Sequence, residues 1–113
     1  MNIFVTNQCP ILSARYLDNM RRNKMLLESC QLLSTAVNYH GGQAPYKTSH
    51  LNHPVSIWTR LNKSNYMWVA EHAMELSKLY TKKTGKEHKC HAVLLRLMSM
   101  IDYIPDGNLT PFA

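Results

Sequence analysis

The sequence predicts an all-α fold: a small single-domain helical bundle of about four helices over residues 1–113, with an irregular N-terminal arm. Three observations lead there. Apolar residues recur at three- and four-residue spacing along extended stretches, the period of one buried helix face. Breaker-rich segments separate those stretches, chief among them HGGQAPYKTSHLNHP with its two glycines and two prolines. Nowhere do two alternating apolar runs flank a two-residue turn, so no β-hairpin is expected. A chain of 113 residues suits one compact domain, which buries roughly two-thirds of the surface its unfolded form exposes.

The elements follow in order. The first dozen residues carry few helix signals: the IFV triplet suits a brief extended arm, and Pro10 breaks any early helix. Ser13 is placed to cap a helix running from about Ala14 to Asn38. On a helical wheel Leu26, Cys30, Leu33 and Val37 share one stripe, widened by Met25, Ser29, Leu32 and Ala36. Arg21 and Glu28, seven residues apart, stack on one line at the edge of that arc. An edge position is half buried, where a charge is held in place and still meets a ligand. After the loop, Pro54 suits the first turn of a short second helix, VSIWTRLN, capped by Asn52 or His53. A third helix follows KSN, with Val69, Ala73, Leu76 and Tyr80 at core spacing. It ends at KKTG, where lysines face the last carbonyls and Gly85 lies beyond them. A fourth spans roughly Lys89 to Tyr103, with Leu94, Leu97, Met98 and Ile101 inward, until Pro105 and Gly107 stop it.

Composition narrows the function classes. A hydrophobic share of 45% with 18% charged residues is ordinary for a globular protein. No apolar run approaches the roughly 20 residues that span a bilayer. The opening MNIFVTNQCPIL has neither a basic n-region nor a long apolar core, so no cleaved secretory signal is expected. The expected location is cytoplasmic. Cys9, Cys30 and Cys90 contain no CxxC pair and read as reduced thiols. His50-x-x-His53 and His88-x-Cys90-His91 lack the second ligand pair that a zinc site requires, so no metal or other cofactor is expected.

Charge carries more. Thirteen Lys and Arg against seven Asp and Glu leave a net +6, with a pI near 9.4. That balance favours a polyanion as partner, nucleic acid ahead of an anionic membrane, against the plain alternative of a solvated basic surface. The cations fall into two groups. Lys78, Lys82, Lys83, Lys86 and Lys89 gather at the third helix's end and read as a solvated face. Arg15, Arg21, Arg22 and Lys24 lie along the first helix, and their arginines offer a rigid donor fork matched to phosphate. Structural readings stand beside these. Asp18 at i+3 and i+4 could pair one arginine, and Lys24 could pair Glu28. His53 could simply cap a helix, and Trp58, Trp68 and Tyr66 read as core or rim more readily than as base-stacking platforms.

Two stretches then resemble a known family. LDNMRRNKMLLESCQLL is similar to the signature helix of the pyrimidine-dimer DNA glycosylase (endonuclease V-like) family, small all-helical proteins of phages and bacteria. Leu17, Asp18, Arg21, Lys24, Glu28, Gln31 and Leu32 carry that match. YKTSHLNHPVSIWTRLNKSNYMWV resembles a second family stretch through Tyr46, Lys47, His50, Asn52, His53, Pro54 and Trp58. Together the two cover roughly residues 12–90, in the family's order.

The resemblance implies a glycosylase with abasic-site lyase activity on damaged or modified pyrimidines. An N-terminal amine attacks the sugar C1′, the base leaves, and the resulting imine allows strand cleavage by β-elimination. By this likeness the amine belongs to Met1, or to Asn2 after trimming, and Glu28 is the essential carboxylate. An α-amino group with a pKa near 8 is partly unprotonated at neutral pH. A carboxylate beside the sugar stabilises the positive charge that grows as the glycosidic bond breaks. Arg15, Arg21, Arg22, Lys24, Lys47, Asn52 and His53 are the expected DNA contacts. The implied partner is double-stranded DNA with an extruded nucleotide, bound by a monomer. Two other readings remain: a non-catalytic phage DNA-binding protein on the same scaffold, and an enzyme processing modified phage bases.

Overall fold

The computed structural model describes residues 9–11 and 19–112; among these the chain is all-helical, with no strand. The helices are α1 (Asn19–Tyr39), α2 (Pro54–Leu61), α3 (Lys63–Thr84) and α4 (Cys90–Ser99), followed by a 3₁₀ turn, Ile101–Tyr103. The expected arm before Pro10, the cap at Ser13 and the first helical turns from Ala14 lie outside the described residues. Pro10 and Ile11 are helical, within a stretch expected to be short on helix signals, while Cys9 before them is not. Proline is tolerated in a first turn, where its missing N–H would have had no partner anyway.

α1 is the central element and packs against the other three helices. Every residue of its expected stripe is buried: Leu26, Cys30, Leu33 and Val37, with Met25, Ser29, Leu32 and Ala36 beside them. Ser34 and Thr35 are buried too, so in its second half α1 is enclosed almost all round. Gly41, at φ 93°, ends it in the left-handed region. Gly42 has a different constraint, because a Cβ there would lie 2.5 Å from Val37 Cγ1.

One residue joins α2 to α3. Asn62, extended at φ −159° and ψ 170°, ends the first and caps the second, its Oδ1 accepting from Asn65 N at 2.9 Å. α3 therefore starts at Lys63, earlier than its apolar period suggests. It ends as expected at Gly85, whose φ of 71° lets its N–H reach Thr81 O at 2.8 Å. The single fourth helix expected to Tyr103 is two pieces. Met100 N bonds Leu97 O and Tyr103 N bonds Met100 O, three residues back in each case, which tightens the chain into a 3₁₀ turn. Pro105 then forces Ile104 into an extended conformation.

Trp58, Trp68 and Tyr66 belong to the core. Tyr66 Oη donates to Leu97 O at 2.6 Å, tying α3 to α4. The two tryptophans meet edge to face with centroids 6.2 Å apart, and Phe112 packs on both. Phe112 gets there because the last residues form a strap over α2 and α3. Ser64 Oγ donates to Gly107 O at 2.6 Å, Asn62 Nδ2 to Asn108 O at 2.8 Å, and Trp58 Nε1 to Thr110 O at 3.3 Å.

Candidate nucleic-acid interface

Two positions on α1 clamp the loop between α1 and α2. Thr35 Oγ1 accepts from Ser49 N at 3.0 Å and donates to Ser49 O at 3.2 Å. One turn on, Asn38 donates to Tyr46 O at 3.0 Å and accepts from Ala44 N at 2.9 Å. Lys47, exposed, is thus held between two anchored neighbours, Tyr46 and Ser49. Arg60 secures the far side: its Nη1 donates to Leu51 O, and its guanidinium carbon sits 4.1 Å over the Tyr39 ring. His50 takes a left-handed φ of 52°, a strained conformation for a non-glycine.

Glu28 lies two turns before Thr35, on the same line of α1, about 10 Å along the axis. It is half buried, as expected of an edge position. Its Oε2 is buried and has no hydrogen-bond partner among the described residues. A buried carboxylate oxygen without a donor costs about 1–3 kcal/mol or more, so a fold keeps one only for a reason.

The remaining expected residues sort clearly. Met1, Asn2 and Arg15 lie outside the described residues, and Arg21 is placed by its backbone within α1. Lys24 and Asn52 are exposed and Arg22 is part-buried. His53 caps α2, its Nδ1 accepting from Val55 N at 3.2 Å. That bond puts the ring proton on Nε2, leaving one N–H donor on the ring. His88 does the same for Cys90 N at 3.0 Å, just before α4. The other histidine motif is equally engaged, with His91 Nδ1 2.9 Å from Ser77 Oγ. Among the described residues no three His, Cys, Asp or Glu side chains gather as for a metal ion.

Burial displaces the acidities of several groups, Cys30 and His72 among them. Burial, reinforced by the neighbouring Cys90 thiol, pushes the Cys30 thiol up to about 12. Burial lowers the His72 imidazole below its usual range, partly offset by the Pro10 carbonyl 3.1 Å from Nδ1.

Sequence reasoning missed three participants. Thr35 and Arg60 bond to backbone atoms of the loop, and neither partner is visible in residue type or spacing. Lys83, read as solvated, borders a cleft of about 100 Å³ with Arg22, Asn23, Leu79, Tyr80 and Thr84. The two basic groups therefore meet, because the start of α1 lies against the end of α3.

No helix among the described residues is long and apolar enough to cross a membrane. No family model, curated protein or solved structure matches the chain.

Proposed function

We propose that this protein is a DNA glycosylase with abasic-site lyase activity, acting on damaged or modified pyrimidines in double-stranded DNA. The observation that carries the reading is the buried Oε2 of Glu28, without a hydrogen-bond partner among the described residues, on the face of α1 that also anchors the Lys47 loop. Such a carboxylate is pre-set to stabilise a cation, and an oxocarbenium-like sugar is one. Support also comes from the likeness of two segments to the pyrimidine-dimer glycosylases, and from the net charge of +6.

In this reading an N-terminal amine, of Met1 or of Asn2, adds to C1′ as the base departs. The base leaves with a proton, and breaking the C1′–O4′ bond as O4′ takes up the proton shed by the nitrogen leaves the imine. At an abasic site the amine instead adds to the C1′ aldehyde and water is lost. Glu28 stabilises the developing positive charge and then takes part in proton transfer. Arg21, Arg22 and Lys24 contact phosphates, which fixes register without reading sequence. Lys47 and the exposed Asn52 approach from the loop, and His53 adds its Nε2 donor. Extruding a nucleotide costs least where stacking is already broken, which favours lesions.

The test is a panel of duplexes carrying an abasic site, a cyclobutane dimer, uracil or 5-hydroxymethyluracil, each with and without borohydride. A covalent adduct trapped through the N-terminal amine is the expected result. Strand cutting with no trappable adduct removes the imine mechanism. A second reading, a non-catalytic DNA-binding protein, is favoured by the Arg22–Lys83 cleft, which needs no chemistry. It requires salt-sensitive binding and unchanged behaviour in Glu28→Gln.

A further inference from the structure

The cleft between the start of α1 and the end of α3 joins two basic groups that lie some sixty residues apart in the chain. Arg22 and Asn23 contribute one wall, Leu79, Tyr80, Lys83 and Thr84 the other. We propose that this cleft is a phosphate-binding site, in which Arg22 and Lys83 together hold one backbone phosphate of bound DNA. The assignment rests on the DNA reading above and adds Lys83 to it.

The chemistry suits an anion. A guanidinium has five N–H donors in a rigid fork, so Arg22 can hold an anion alongside contacts within the protein. Arg22 is part-buried in a cleft that Leu79 and Tyr80 also line, which restricts its side chain and lowers the entropy lost on binding. Lys83 is exposed and supplies a mobile point charge from the opposite wall. Lys82 and Lys86 are exposed at the same helix end and raise the local positive potential.

One feature opposes an anion here: the carbonyl end of a helix carries partial negative charge. In α3 that end is partly offset. Thr84 Oγ1 donates to Tyr80 O at 2.9 Å, and Gly85 N donates to Thr81 O at 2.8 Å. The same hydroxyl accepts from Lys86 N at 3.2 Å, so Thr84 is a framework residue and not a ligand. The last turn also bears Lys82 and Lys83. The two cations therefore outweigh a partial dipole charge, near which the Tyr80 and Thr81 carbonyls already accept hydrogen bonds.

The experiment has two arms. In the first, inorganic phosphate is titrated into isotope-labelled protein, and the amides of Leu79, Tyr80 and Lys83 are followed by NMR. They should shift in wild type and not in Lys83→Gln, while Arg96→Gln, an equal charge loss on α4, should leave the shifts intact. In the second, binding to a 20-base-pair duplex with an abasic analogue is measured against salt. Lys83→Gln should reduce the slope of log affinity against log salt by about 1, with several-fold weaker binding. Lys83→Arg should restore both. Equal behaviour of Lys83→Gln and Arg96→Gln in both arms overturns the site. Borohydride trapping separates the two ideas. An adduct in wild type with no special effect of Lys83 sinks the cleft and leaves the glycosylase. A Lys83-dependent slope with no adduct sinks the glycosylase and leaves the cleft.

Discussion

Asn65 holds Thr110 at two points: its Oδ1 accepts the Thr110 N–H at 3.0 Å, and its Nδ2 donates to Thr110 Oγ1 at 2.9 Å. The same Nδ2 also donates to Trp58 O at 2.9 Å, so one fully buried amide joins α2, α3 and the closing strap. Replacing it with alanine removes all three bonds and leaves buried groups unpaired. Asn65→Ala should cost about 2–4 kcal/mol. Urea unfolding monitored by tryptophan fluorescence would report it, since Trp58 and Trp68 both pack against Phe112 of the strap.

Glu28→Gln separates chemistry from architecture. The substitution keeps the shape and removes a charge whose Oε2 has no donor among the described residues. Thermal stability should stay level or rise, and trapping with abasic DNA should disappear. A marked fall in Tm would show instead that the carboxylate supports the fold.

Thr35→Val removes the hydroxyl that clamps Ser49 while preserving volume. The loop carrying Lys47 should then loosen, at a cost of about 1–2 kcal/mol. Hydrogen exchange would show faster amides at Ser49 than in wild type. DNA affinity should fall with it if Lys47 meets a phosphate.

His72 gives stability a pH dependence. Its imidazole is lowered in the folded protein, first by burial. Above the unfolded value of about 6.5 both states are neutral, and the group contributes nothing. Below it, the unfolded chain takes up a proton that the folded one resists, so stability falls as pH drops until the folded pKa is passed. The midpoint of urea unfolding should therefore decline from pH 7 toward pH 5. His72→Gln should flatten that slope.

Thiol reactivity should divide the cysteines. Cys9 is exposed, whereas Cys30 and Cys90 are fully buried, and Cys30 is raised to about 12. Alkylation of native protein at pH 8 should label Cys9 alone; denatured protein should take up three equivalents. Mass spectrometry reads both counts.

Local pattern alone determined a good deal of this molecule. The buried stripe of α1, the His53–Pro54 start of α2 and the Gly85 stop of α3 follow from side-chain periodicity and from terminal N–H and C=O groups needing partners nearby. The edge position of Glu28 was equally legible, because seven residues make two turns. The tertiary structure decided what no local rule contains: that Thr35 and Asn38 grip the loop, that Asn65 holds Thr110 45 positions away, and that Lys83 comes to lie beside Arg22. Those pairings depend on how helices of particular length pack side by side. A surface lysine and a surface arginine look alike to any single-chain pattern until packing brings them to the same cleft.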